Sequence, residues 1–214
     1  MTVPIPTSIY RMVHIDNLTV LLERNGLHAP NHVPGDVLHY RTIHDASVQK
    51  ARHGTRVTCC KRGTVHDYVP FCFGYLSPML LQLKTGQVQG YNEGQRTLIY
   101  LVSYAQTIEE SGVDFVFSDG HGLATYSHWY NDLDDLNQVD WSMVSEKYWS
   151  DNVNDMDRQR RKQAEFLIHQ FCPWELIEEI GVFSSDMRTR VRHEMEQYDS
   201  RMMKPVNLQR CWYY

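Results

Sequence analysis

The residues able to do chemistry in this chain are few and far apart: His14 and Asn17, Arg52, His121, and Glu165. Glu165 is marked by its neighbours. Arg158, Arg160, Arg161 and Lys162 precede it, Phe166-Leu167-Ile168 follow it, and it is the only acid between Asp157 and Glu175. A carboxylate where cations give way to an apolar run is costly unless it has partners or a task. An ion pair with an arginine would satisfy it. So would a catalytic role, in which an anion steadies positive charge that develops in a transition state. His121 lies in Asp119-Gly120-His121-Gly122, a tight turn that would display its ring, and imidazole is a proton acceptor near neutrality.

The elements that must position these residues can be read from pattern. Residues 9–15 alternate as a short strand that ends at His14. Asp16 or Asn17 caps a helix over 18–24, with Leu18, Leu21 and Leu22 on one face, and Asn25-Gly26 closes it. His14 and Asn17 therefore sit at a strand end and a helix start, where polar groups often meet a ligand. A satisfied core histidine is the equally weighted alternative for His14. Residues 27–44 read as loop. His28 and His32 are four apart, but Pro30 between them denies a shared helical face, and two further zinc ligands have no source. A short helix over 46–52, ended by Gly54, presents Lys50, Arg52 and Arg56 as a solvated basic face or a phosphate contact.

Further on, residues 69–75 read as a strand that runs into a glycine turn. Ser77-Pro78 starts a helix, 97–103 is a buried strand, and 113–118 is a strand that delivers the His121 turn. An amphipathic helix is expected over 141–149 and a polar linker over 151–157. A strand over 166–171 is cut by Pro173, a helix begins there and runs to 179, and a charged helix covers 184–200.

Composition bounds the function. The chain has 214 residues, 42% hydrophobic and 22% charged, which suits a single globular domain over 1–214. Its formal net charge of −5 gives no overall basic field, but cations gather in 41–62, 158–162 and 188–210, so a local basic groove on an acidic protein fits. Five cysteines without a C-x-x-C pair favour a reducing compartment over a disulfide framework. No apolar leader and no membrane-length segment occur, so a cytoplasmic location and no membrane partner are expected. Dinucleotide-fold, P-loop and nucleophile-elbow motifs are missing, and no cysteine set has zinc-ligand spacing.

Taken together, the segments are more specific than any one of them. Tyr10-Arg11-x-x-His14-x-x-Asn17-Leu18 comes first. Tyr68-Val69-Pro70-Phe71 and Ser77-Pro78-Met79-Leu80 follow, then Ser118-Asp119-Gly120-His121, and last Arg161-Lys162-Gln163-Ala164-Glu165-Phe166-Leu167 with Pro173-Trp174. In this order they resemble the DarT family of DNA ADP-ribosyltransferase toxins, and most closely its thymidine-modifying branch. The resemblance spans about residues 9 to 182.

It implies an α+β, ADP-ribosyltransferase-like fold, with two facing, mainly antiparallel β-sheets around an NAD cleft and flanking helices. NAD is the implied co-substrate, without a metal. Glu165, Arg52 and His121 are the implied catalytic residues, and His14, Asn17, Gly26 and Arg52 the implied NAD contacts. Lys50, Arg56, Tyr75, Met79, Arg158 and Arg161 are assigned to single-stranded DNA. A macrodomain antitoxin of the DarG type is the implied partner of a monomer. Cys72 and Leu76 depart from the family pattern, which usually has an aromatic at the first position and often arginine at the second. Transfer to guanine, RNA or protein, and non-catalytic nucleic-acid binding, are the competing readings.

Overall fold

The structure, a computed structural model, describes residues 2–59 and 63–214. Cys60, and the Lys61-Arg62 end of the cationic stretch, lie outside the described residues. Strand β1 (Ser8–His14) is the axis of the fold, with Ile9 and Val13 fully buried. It leads through a short 3-10 turn into helix α1 (Leu18–Glu23), whose Leu18, Leu21 and Leu22 pack into the main core as their spacing requires. Asn25, not Gly26, takes the left-handed conformation after α1 (φ 53). Gly26 opens strand β2 (Gly26–His28), within a stretch expected to be loop.

Helix α2 (Ala46–Gly54) starts at Asp45, whose carboxylate accepts from the Ser47 and Val48 N–H groups. Strand β3 (Tyr68–Cys72) precedes α3 (Pro78–Lys84), which has Ser77 as cap and Pro78 in its first turn. Then come β4 (Leu98–Tyr104), α4 (Ala105–Glu110), β5 (Phe115–Ser118), β6 (Trp129–Tyr130) and α5 (Trp141–Ser145). Helix α5 stops four residues short of the expected end: Glu146 is extended, and the Lys162 ammonium takes the carbonyls of Val144 and Glu146. The basic run itself forms helix α6 (Arg158–Lys162).

Strand β7 (Glu165–His169) begins at the acid singled out in the sequence. Gln170 then turns the chain with positive φ (60), so the expected single strand becomes two, β7 and β8 (Phe171–Pro173). The helix expected after Pro173 is only a 3-10 turn, Trp174–Leu176, followed by β9 (Glu179–Val182). Residues 181–183 are expected as strand or turn, and β9 starts two residues earlier, paired with β4 and burying Ile180 and Val182 in the core. Helix α7 (Ser185–Met195), capped by Ser184, and β10 (Val206–Leu208) complete the order.

Eight strands form one sheet in the order β10-β9-β4-β1-β3-β7-β5-β6, and β2 and β8 form a second, small sheet. Neighbours are antiparallel except β9 and β10. The large sheet is not uniform. β1 pairs with β4 along its whole length but meets β3 at one register pair, Tyr10 with Cys72. Pro70 of β3 has no N–H to extend that ladder. The mainly antiparallel strands expected from the sequence form one eight-stranded sheet, with four strands on either side of the single β1–β3 register pair.

Candidate active site

Glu165 sits at that junction, opposite Cys72 in the β3–β7 register. Its side chain is 6% exposed, and both carboxylate oxygens are held. Arg52, near the end of α2, donates from one guanidinium nitrogen to Oε1 (3.0 Å) and from the other to Oε2 (2.6 Å). This is the two-pronged geometry in which arginine binds carboxylate best. The Gly122 N–H donates to Oε1 at 3.0 Å. The Glu165 N–H donates to the Ser118 hydroxyl, which donates in turn to the Gly120 carbonyl at 2.6 Å. The His121 turn is therefore laced to the strand that carries the acid. A Cβ on Gly122 would lie 3.0 Å from Oε1 and 3.1 Å from the Trp129 ring, so a side chain here would press on the carboxylate.

The electrostatics favour an ionised Glu165. Burial pushes its pKa up, but the Arg52 charge and hydrogen bonds, the nearby His121 and the Gly122 N–H outweigh burial and hold it below the usual carboxylate range. Arg52 is raised: burial works against its charge, and Glu165 more than offsets that. His121 is lowered, first by burial and then by the Arg52 charge, against the pull of Glu165. A neutral imidazole thus stands beside an ion pair.

These groups face a cavity of about 660 Å³, within the range of about 300–1,000 Å³ usual for ligand pockets. Arg52, His121, Glu165, Gly26 and Met79 all line it. Gly26 is required there: its φ is +149, and a Cβ would lie 2.3 Å from the Cys172 carbonyl. His14 and Asn17 are buried and do not line it. The His14 ring meets Glu93 at 3.1 Å and accepts from the Asp16 N–H. Asn17 brackets the Arg41 backbone, accepting from its N–H (2.7 Å) and donating to its carbonyl (2.9 Å). Arg41 in turn pairs with Asp16 and Glu93. The pair thus pins the segment that brings Thr42 and His44 to the cavity wall.

The residues assigned to DNA separate into two groups. Lys50 and Arg56 are exposed and have no ion pair among the described residues. Tyr75 is half-buried and stacks on Trp212, with ring centroids 5.5 Å apart. Arg158, by contrast, donates to the carbonyls of Tyr148 and Ser150, and Arg161 is held by Asp140, Asp155 and Asp157. Both guanidiniums are occupied within the chain.

Three further cavity residues are given no role from the sequence. His44 is kept neutral, its pKa held down to about 3 by burial and by Arg11 and Arg52. Lys162 is buried, which lowers its pKa to about 8. Cys72 has its thiol pushed up to about 11 by burial and by Glu165. Among the described residues, no group of three or more His, Cys, Asp or Glu could hold a metal ion, and no helix is long and apolar enough to cross a membrane.

Known proteins are similar to this chain in sequence and fold. Residues 10–214 match the sequence model of the family described as ssDNA thymidine ADP-ribosyltransferase, DarT. A DNA ADP-ribosyl transferase of Thermus sp. (strain 2.9) is 37% identical over 213 residues, covering 100% of this chain and 99% of that one. A DNA ADP-ribosyl transferase of Escherichia coli O127:H6 (strain E2348/69 / EPEC) is 31% identical over 206 residues, covering 96% and 93%. Thermus sp. 2.9 DarT in complex with ADP-ribosylated ssDNA superposes with a TM-score of 0.93 at 36% identity, covering 100% of this chain and 99% of that one. The same protein in complex with NAD+ superposes at 0.89 and 36% identity, with 100% of both chains covered.

Proposed function

The chain belongs to the DarT family of ssDNA thymidine ADP-ribosyltransferases, and from that premise we propose how its cavity carries out the transfer. The protein is an NAD-dependent DNA ADP-ribosyltransferase. The acceptor is thymidine in single-stranded DNA, and residues 1–214 act as one transferase domain. The observation that carries the residue assignment is the buried Glu165 carboxylate, clamped at the cavity wall by Arg52 and Gly122.

In the reaction, the bond between the ribose anomeric carbon and nicotinamide breaks. Nicotinamide leaves with the electron pair, and the sugar becomes oxocarbenium-like. Glu165 accepts a hydrogen bond from a ribose hydroxyl and faces the growing positive charge, so it stabilises the transition state more than the ground state. The thymine N3 lone pair forms the new bond to the anomeric carbon, and the N3 proton must leave. His121, neutral and lining the cavity, suits that transfer. Arg52 holds the carboxylate in place and remains protonated, since guanidinium does not serve as a base near neutrality.

N3 is occupied by pairing in a duplex, which supports a single-stranded acceptor. Lys50 and Arg56 have free charges for backbone phosphates, while Tyr75 and Met79 offer surface to bases. Arg158 and Arg161 would first have to release internal partners. Gly26 admits NAD closely, and His14 and Asn17 act on NAD through the 41–44 segment they fix. Toxicity countered by a DarG-type macrodomain partner, a monomeric state and a cytoplasmic location complete the proposal, and they rest on the family resemblance.

The test is incubation with NAD and short oligonucleotides rich in thymidine, read by mass spectrometry. The expected product carries one added ADP-ribose, with one nicotinamide released. Parallel guanine, RNA and protein substrates decide the acceptor: modification of one of these without thymidine, or NAD binding with no adduct anywhere, would overturn the thymidine reading.

A further inference from the structure

Arginine and lysine side chains lining the cavity among the described residues are Arg11, Arg24, Arg52 and Lys162. Three of them are spent. Arg24 donates twice to Asp36 and once to the Leu38 carbonyl. Arg52 is clamped to Glu165, and Lys162 holds two carbonyls at 2.7 and 2.6 Å. Arg11 is different. Of its five N–H donors, one hydrogen bond is found, to the Pro70 carbonyl at 3.1 Å. Its Nε is buried and has no acceptor, the only such side-chain atom among the described residues. No carboxylate of a described residue lies within ion-pair distance of it.

The place of Arg11 in the fold explains this. It follows Tyr10, the single residue at which β1 touches β3. Beyond that point the strands part, and the guanidinium reaches across the opening to the carbonyl of the proline that prevents further pairing. A cation is thereby held at the cavity wall with donors to spare and no counter-ion among the described residues. Its charge also reaches the His44 ring and the Cys72 thiol.

We propose that Arg11 is a phosphate-binding residue of this cavity, its guanidinium receiving the anionic oxygens of a phosphodiester. Arginine fits phosphate oxygens with paired, charge-assisted hydrogen bonds, which would satisfy the donors left open here. The phosphate is either that of the NAD pyrophosphate or that of the DNA backbone. Arg52 is committed to Glu165, so the anionic part of the ligand needs another cation. The inference rests on the reading of this cavity as the site of NAD-dependent DNA modification.

The experiment measures affinities of wild type, Arg11→Gln and Arg11→Lys for NAD alone, by tryptophan fluorescence, and for a thymidine oligonucleotide alone, across a salt series. If the pyrophosphate binds here, Arg11→Gln weakens NAD by about 10-fold or more and leaves the oligonucleotide unchanged. If a DNA phosphate binds here, the oligonucleotide weakens instead, and its log–log salt slope becomes shallower by about 0.7. Arg11→Lys, which keeps the charge and loses the fork, falls between wild type and Arg11→Gln. Affinities within about twofold of wild type for both ligands overturn the proposal. Should Arg11→Gln fail to fold, Arg11→Lys decides by the same criterion. A wild-type protein that binds NAD but transfers nothing sinks the parent reading and leaves the phosphate site standing.

Discussion

Arg52 and Glu165 are separated by 113 positions in the chain and meet in a buried two-pronged pair at 3.0 and 2.6 Å. The pair joins helix α2 to the first residue of β7, and through Gly122 it also joins the His121 turn. An isolated carboxylate at this depth would take up a proton. Paired, it stays an anion facing a cavity, which is the state the chemistry requires.

Removing the anion while keeping its shape affects chemistry and stability by different routes. Glu165→Gln is expected to lower transfer by about 10²–10³-fold, as loss of one preorganised electrostatic group does. Arg52 would then be buried without a counter-charge, which costs about 3–5 kcal/mol when one partner of a buried pair is removed. Mass spectrometry of oligonucleotide products and thermal unfolding read the two effects. Near-wild-type turnover would remove Glu165 from the mechanism.

Gly122→Ala tests the clamp more gently. The added methyl would sit 3.0 Å from Oε1 and 3.1 Å from Trp129, so the carboxylate or the ring must shift by a few tenths of an ångström. We expect turnover to fall by about 10-fold or more, since small misplacements of reacting groups are costly, with NAD affinity little changed. A variant with unaltered turnover would show that the carboxylate tolerates displacement.

Acid should lower both activity and stability. His121 has a folded pKa below its usual 6.5, so its neutral form persists at neutral pH and is lost only under acid conditions. Turnover should fall on an acid limb with a midpoint below 6.5, and His121→Asn should lower turnover by about 10²–10⁴-fold and flatten that limb. For stability the sign is the same. As pH falls, the unfolded chain protonates its histidines near 6.5, while folded His44 stays neutral down to about 3. The unfolded state then binds more protons, so stability declines through that window. Asp67, held near 2 against burial by the Thr64, Asn31 and His32 hydrogen bonds, adds a second loss between 3.8 and about 2. Thermal unfolding against pH checks this, and His44→Gln should reduce the first slope.

Asn17→Ala addresses whether the buried first-strand residues act on NAD through the loop they hold. The substitution leaves the Arg41 N–H and carbonyl without partners, at a cost of about 1–3 kcal/mol. Because Thr42 and His44 lie just beyond, KM for NAD should rise more than kcat falls. Loss of stability with an unchanged KM would confine Asn17 to a structural role.

Lys50→Gln combined with Arg56→Gln should weaken oligonucleotide binding and reduce its salt slope by about 0.7 for each backbone phosphate no longer neutralised, without altering NAD affinity. An unchanged slope would move the DNA path elsewhere. Arg161→Gln is expected instead to destabilise, because its guanidinium links Asp140, Asp155 and Asp157.

Much of the frame was legible in the chain. Alternation fixed β1, the apolar run marked β4, Ser77-Pro78 marked the start of α3, and the border of charge and apolarity singled out Glu165 at the start of β7. Local patterns failed where distant strands competed. A helix is expected from Pro173 to 179, but only Trp174–Leu176 turn, as a 3-10 helix, before Glu179–Val182 pair with β4. The basic run at 158–162 has the look of a phosphate patch, yet its arginines are bound to acids and carbonyls from other segments.

Sequence alone therefore determined which residue types were available, where most strands and caps lie, and which acid needed an explanation, because these depend on periodicity and near neighbours. Tertiary structure decided the partners. It brought Arg52 across 113 positions to Glu165, buried His14 and Asn17 against Glu93 and the Arg41 backbone, and left Arg11 at the cavity wall with donors unspent. Charge pairing and burial are set by three-dimensional distance and solvent exclusion, and neither quantity is written in the order of residues along a chain.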